Sequence, residues 1–385
     1  MTTPDAPLAG IRVVSLAEQF PGPFATLLLS DLGADVVQVE RPKGGDPSRA
    51  FPGHYEALNR GKRSVALDLK DADGADAFGR LVSHADVLLE GFRPGVLSRL
   101  GFGPDELLRR HPRLVYVSVS GFGHDSPLRN HPAHDLSFQA MAGLLDSGAA
   151  QPHPPVLALA DLSAGMFAAF AALTGVVAAQ KTGRGGHYDV AMLDTLLTLA
   201  ATRLVPAANG QPPDTLGLDP GYGLFATADG EWISLSIAFE DHFWMALCVA
   251  LGLNEIGGVS AAERIEDRER LRSQIAARIV ASPADHWDKA LVGAGVPYGR
   301  VSTLADVLGA PNTMARNMVQ SVATPDGERS FVRQPLIVDG VPHGPTRGTP
   351  RLGEHTAEVL LEAGVPPELA NRLAATPETP RQGLY

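Results

Sequence analysis

Cysteine is nearly absent from this 385-residue chain: Cys248 is the only one. One thiol excludes an internal disulfide framework and a cysteine-based zinc site. Its flanks, MALCVALGL, are apolar, which predicts a buried structural thiol rather than a nucleophile. Basic charge is in deficit too, with 32 Lys and Arg against 43 Asp and Glu and a formal net charge of −11. That disfavours nucleic-acid or anionic-membrane partners, but leaves room for a local basic pocket holding one anionic ligand. No uninterrupted apolar run reaches the roughly 18 residues of a membrane span. The richest stretch, Met166 to Gln180, predicts a buried Ala-rich helix. The opening residues, MTTPDAPLAGIRVVSL, lack a basic stretch followed by a long apolar run, so a soluble, cytoplasmic protein is expected. Neither an internal repeat nor a low-complexity tract is evident. What remains is an ordinary globular balance, 44% apolar and 19% charged. The length predicts two domains.

Strand-like and helix-like segments alternate from the start. IRVVSL, ADVVQVE, SVALDL, DVLLE and LVYVSVSGF predict strands. FATLLLSDLG and the stretch from Ala75 to His84 predict helices between them. This spacing predicts an α/β domain with a mainly parallel sheet covered on both faces. From about Asp135 to Leu204 the pattern turns helical. The domain boundaries are placed at 1–208 for a large α/β domain, 209–223 for a Gly- and Pro-rich linker, and 224–325 for a small α/β domain. The segment 326–385 returns to the large domain.

The loop after the first strand, AEQFPGP, stands where a ligand crevice opens in such folds. It has a single glycine, so the G-x-G-x-x-G fingerprint of a nicotinamide-binding domain is missing. Arg41 follows the second strand, Lys62 and Arg63 lie in NRGKRS before the third, and Arg93 follows a fourth in EGFRPG. Singly these are solvated loop charges as readily as ligands. Together, in an acidic chain, they suggest a pocket for a polyphosphate ligand. His134-Asp135 precedes one helix and Asp161 opens another, in LALADLSAGMF. Spacing alone makes both aspartates N-caps. A histidine at a helix N-terminus is kept neutral and could serve as a base. The small residues after Asp161 leave space for a substrate near first-turn amides that could hold an oxyanion.

Several long stretches resemble one family in its own order: PLAGIRVVSLAEQFPGPFATLLLSDLGADVVQVERP, NRGKRSVALDLK, DVLLEGFRPGVLSRLGFGPDEL, HDLSFQAMAGLL, ADLSAG and TGRGGHYDVAMLD. The chain resembles the family III CoA-transferases, which include the α-methylacyl-CoA racemases and formyl-CoA transferases. The resemblance implies a large Rossmann-like domain with a parallel sheet, a smaller α/β domain, and an interlocked homodimer. It implies an acyl-CoA substrate, with coenzyme A near Gln19, Arg41, Lys62, Arg63 and Arg93, and no metal. In the transferase branch the residue matching Asp161 is the nucleophile. In the racemase branch it is one of two bases and His134 the other.

Ala133-His134-Asp135 is similar to the racemases' Gly-His-Asp, and Glu240 in AFEDHF falls in a racemase-like setting. QAMAGLL and Gln19 are closer to transferases. The first reading is therefore racemisation of a 2-methylacyl-CoA, with His134, supported by Asp135, facing Asp161, supported by Glu240. The alternative is CoA transfer to a carboxylic acid through Asp161. A non-catalytic acyl-CoA binder and a dehydrogenase rank well below both.

Overall fold

The β-branched run after Gly10 forms β1 (Arg12–Ser15). In this computed structural model the described residues are 6–145, 153–212 and 216–375. Positions 213–215 of the expected linker and 376–385 of the expected return segment lie outside them. Two compact units emerge. One holds the residues up to Ala201 and those from Ala315 onward; the other is Thr202–Met314.

In the larger unit β1 is followed by α1 (Pro21–Asp31), β2 (Asp35–Glu40), β3 (Arg63–Ala66), α2 (Ala72–Ser83), β4 (Val87–Glu90) and α3 (Pro104–Arg110). Next come β5 (Val115–Ser120), α4 (Asp135–Met141), α5 (Leu159–Thr182), β6 (Gly186–Ala191) and α6 (Met192–Leu199). The six strands are parallel, in the order β3-β2-β1-β4-β5-β6. Their residues alternate between two buried faces, as a parallel sheet requires. Val13, Val36, Val87 and Val115 pack under α1 and α5; Val14, Val37, Leu88 and Tyr116 pack on the opposite side with α2.

Sequence alone found no span-length apolar segment, yet α5, with 24 residues, is long and apolar enough by length and composition to cross a membrane. Just over half of its apolar stretch is buried within the unit, against α1, β5 and β6. It is a core helix, and its glycines allow the close approach. A Cβ at Gly165 would stand 2.8 Å from the Pro21 carbonyl oxygen, and one at Gly175 2.3 Å from Val115 Cγ1.

The second unit has an antiparallel sheet of β7 (Tyr222–Ala226), β8 (Trp232–Ser236) and β9 (Tyr298–Arg300). Helices α7 (Asp241–Leu251), α8 (Arg268–Ile279) and α9 (Ala284–Gly293) supply the rest of a core around Trp244, Ile275 and Trp287. Cys248 is buried in it, and burial pushes the thiol up to about 11.

The chain re-enters the first unit with the hairpin β10 (Val319–Thr324) and β11 (Gly327–Val332), then α10 (Thr356–Glu362) and α11 (Pro367–Ala374). The start of α10 lies along the edge strand β3. Ser64 N donates to His355 Nδ1 at 3.2 Å, His355 N to Ser64 O at 2.9 Å, and Ala66 N to Thr356 Oγ1 at 3.0 Å.

Candidate active site

In a parallel sheet of this order the connections run to opposite sides of β1 and β4, which opens a crevice beyond their C-terminal ends. A cavity of about 820 Å³ lies there, lined by residues that follow β1, β2, β3 and β4 and by α11. Leu16, Leu67, Phe92 and Leu373 give it apolar wall; Arg41, Lys43, Lys70 and Arg372 give it positive charge. Arg41 is exposed at this site, with Nε 3.4 Å from Glu18 Oε1. Burial outweighs that cation and pushes the Glu18 carboxyl up to about 7.

The loop between β1 and α1 carries backbone strain. Gln19 has φ of +69°, in the left-handed region that a side chain disfavours. The buried Asp46 carboxylate holds it there, accepting Gln19 N at 3.1 and 3.0 Å with its two oxygens. Arg93 is exposed on the turn after β4, next to Phe92.

The structure does not bring Lys62 and Arg63 into this cavity. Lys62 is fully buried, donating to Pro23 O at 2.9 Å and Asn59 Oδ1 at 2.8 Å, and burial lowers its ammonium to about 7. Arg63 begins β3, at the opposite end of the sheet. It reaches Asp35 at 2.6 Å, Glu362 at 2.9 Å and Glu358 at 3.2 Å. All three cations of the NRGKRS motif are spent on internal partners, Arg60 on the buried Asp31 at 2.7 Å. The cavity cations that sequence reasoning missed, Lys43, Lys70 and Arg372, are legible only once the strand ends are known.

Asp161 is the third residue of α5, not its N-cap. It lies about one helical turn (roughly 5.4 Å along the axis) before Gly165, which packs on Pro21 at the start of α1, and it is not among the residues that line the cavity. The cap is Asp135, from the neighbouring α4. Its Oδ1 accepts Ala160 N at 2.7 Å and Asp161 N at 3.2 Å; its Oδ2 accepts Gln139 Nε2 at 2.6 Å. Asp135 is thus committed to α5 and Gln139 rather than to the His134 ring, which is exposed. Gln139, also bound to Leu157 O at 3.1 Å, is a site residue that the sequence offered only as the first letter of QAMAGLL.

Two further expectations change. The first-turn amides of α5 are taken: Leu159 N by Leu157 O, Ala160 and Asp161 by Asp135, and Leu162 N by Ala158 O. They have no free donor for an oxyanion. Ser163, Ala164 and Gly165 are buried, so they serve packing against α1 and α6 and not substrate approach. The Asp161 carboxyl itself has no ion pair or side-chain hydrogen bond among the described residues. Burial first, then the charge of Asp135, pushes it up to about 7. Glu240 lies in the second unit, at the N-cap of α7, with Oε2 accepting Ala238 N at 3.0 Å and Phe239 N at 3.1 Å. Those two amides hold its carboxyl below the ordinary range.

A doubly wound sheet with a partly cationic crevice at its reversal point and a desolvated carboxyl near the start of a core helix are features of an α/β enzyme domain. The chain belongs to CoA-transferase family III, whose model matches residues 8–356. It is 33% identical to the acetyl-CoA:oxalate CoA-transferase of Acetobacter aceti, across 94% of this chain and 97% of that protein. It is 33% identical to a succinate–glutarate CoA-transferase of Agrobacterium fabrum, across 92% and 95%. It is also 33% identical to the succinyl-CoA:mesaconate CoA-transferase of Haloarcula marismortui, across 93% and 96%. Among solved structures, a CAIB/BAIF family protein of Brucella suis is 30% identical with a TM-score of 0.81, covering 94% of this chain and 100% of that one. A protein of Mycobacterium tuberculosis gives 29% and 0.83, over 93% and 100%. The three relatives named for an activity are CoA-transferases, which moves the balance away from racemisation.

Proposed function

We propose that this enzyme transfers coenzyme A from an acyl-CoA to a carboxylic acid through Asp161. The observation that carries this reading is the Asp161 carboxyl: half-buried, with no cation or side-chain donor among the described residues, and one helical turn before the glycine that packs on the start of α1. A desolvated, unpaired carboxylate is a strong nucleophile. It attacks the thioester carbonyl carbon and expels the coenzyme A thiolate, forming a mixed anhydride. The thiolate attacks the Asp161 acyl carbon and releases the donor carboxylate, leaving an aspartyl thioester. The acceptor carboxylate repeats the sequence in reverse, and no proton is consumed. Arg41, Lys43 and Lys70 suit the phosphates of coenzyme A, while Leu16 and Phe92 suit its apolar arm. Oxalate, glutarate and mesaconate in the relatives' names are dicarboxylic acids, which supports a small dicarboxylate as acceptor. Exposed Met166, Phe170 and Val177 on α5 are apolar surface that the proposed interlocked homodimer would cover.

Hydroxylamine added during turnover should convert Asp161 to its hydroxamate, located by mass spectrometry. Turnover with no modified Asp161 overturns the covalent route. Racemisation stays as a second reading because Asp161, near 7, is suited to carrying a proton, and His134 precedes the residue that caps its helix. Deuterium entering C2 of a 2-methylacyl-CoA in deuterated water, without any acceptor acid, would establish it.

A further inference from the structure

Strand β4 ends in a buried acid that this mechanism does not use. Glu90 is 3% exposed, and among the described residues no ammonium or guanidinium pairs with it. Its Oε2 accepts the backbone N–H of Phe92 at 2.8 Å, and Phe92 lines the crevice. The sheet register sets Glu90 beside Ser118 on β5, and Ser118 beside Asp189 on β6. The Ser118 hydroxyl hydrogen-bonds Glu90 and also meets His187 Nε2 at 2.9 Å. The His187 ring is exposed at the sheet edge, with its edge or face against Tyr116 at 5.4 Å and His124 at 5.1 Å. His124 N in turn donates to Asp189 Oδ2 at 2.7 Å.

We infer that Glu90 is a positioning residue for the coenzyme A crevice, gripping the turn that carries Phe92 and Arg93, with Ser118 and His187 as its proton path to solvent. The inference rests on the crevice being the coenzyme A site. Phe92 follows Glu90 by two residues, so the grip fixes where the turn leaves the sheet. Both charge states of the carboxyl keep it, because Oε2 accepts in either. The remaining bonds reverse direction with charge. Neutral Glu90 donates through its other oxygen to Ser118 Oγ, and Ser118 donates to His187 Nε2. Ionised Glu90 accepts from Ser118, which accepts from His187 Nε2–H. A proton leaving Glu90 therefore enters His187 at Nε2, while the ring gives one up to water.

The charge states matter for an anionic ligand. Burial, with a smaller push from Asp189, raises Glu90 to about 7, so both forms are present near neutrality. Ionised Glu90 adds negative charge behind Phe92 and repels phosphates. Ligand binding therefore favours the neutral form, and affinity falls as pH rises through that value. Glu18 acts with the same sign from the crevice wall. Ser118 holds the ionised form, so its loss moves the Glu90 midpoint upward. His187 is itself held below its usual range, first by the partial desolvation of its inner side and then by His124, which suits a group that accepts and quickly releases.

The test is calorimetric titration of coenzyme A into the full-length protein from pH 6 to 8, with steady-state kinetics alongside. Wild type should bind more weakly as pH rises. Glu90→Gln should match wild type at pH 6 and give a flatter profile. Ser118→Ala should shift the midpoint to higher pH. Glu90→Ala should weaken binding about tenfold and raise KM with little change in kcat, as expected for one lost positioning hydrogen bond. If Glu90→Ala does not fold, Glu90→Gln and Ser118→Ala decide the matter. Normal binding in wild type with unchanged slope and midpoint in both overturns this inference alone. Wild-type protein that binds no coenzyme A at any pH overturns the crevice assignment and this inference with it.

Discussion

One oxygen of Asp135 accepts the backbone amide of Asp161 at 3.2 Å and that of Ala160 at 2.7 Å, so one carboxylate caps the helix whose first turn carries another. The capping residue thereby fixes where the second carboxyl stands and raises its proton affinity through like charge.

Replacing Asp161 with Asn should lower CoA transfer by at least about a thousandfold while coenzyme A binding persists, since only the nucleophile is lost. Transfer rate and calorimetric affinity, measured on one preparation, separate the two effects.

The same variant should report on stability. Asp161 is raised in the folded state, so its contribution favours folding at low pH and is lost as pH climbs from the ordinary aspartate range through about 7. Asp161→Asn should therefore melt above wild type at pH 8, with a smaller gain at pH 5. An equal gain at both values would mean the carboxyl is not desolvated.

Changing Asp135 to Ala removes both the cap and the neighbouring charge. Loss of a cap should cost about 1–2 kcal/mol. The acid limb of the kcat–pH profile should shift to lower pH, because Asp161 then ionises more easily. Thermal melts and a pH–rate series would read the two consequences independently.

Arg41→Ala should weaken coenzyme A about five- to tenfold, as expected for one charged contact to phosphate. Arg63→Met should leave that affinity intact and cost about 2–3 kcal/mol, since it strips charged hydrogen bonds from Asp35 and Glu362. Weaker coenzyme A binding in folded Arg63→Met would restore Arg63 to the ligand site.

Gly165→Val should be destabilising by about 1–3 kcal/mol through overpacking against Pro21 and Phe24. It should also depress activity, because the displaced element is the start of α1, on which the first turns of the Asp161 helix pack. A chemical-denaturation midpoint and a turnover assay suffice.

The alternation of β-branched runs with helical spacing was enough to read the parallel sheet, because each strand is buried on both faces and its composition says so. The site was harder. Arg63 and Arg41 look alike in sequence, and only the direction of β3 and β2 puts one at the base and the other at the crevice. His134-Asp135 reads as a base with its helper, yet the carboxylate turns toward α5, a tertiary contact that no local pattern encodes. Asp161 was legible as a helix-terminal acid; that no cation among the described residues pairs with it was not.

The last segments of the chain seal one of its earliest strands. Backbone groups of β3, the edge of the main sheet, are taken up by His355 and Thr356, and Arg63 at its start waits for Glu358 and Glu362. On a ribosome these partners emerge nearly three hundred residues later. The sheet must spend most of its synthesis with an open edge, the kind that pairs with other chains. Loss of the contacts that α10 makes with β3 should thus harm yield before it harms chemistry.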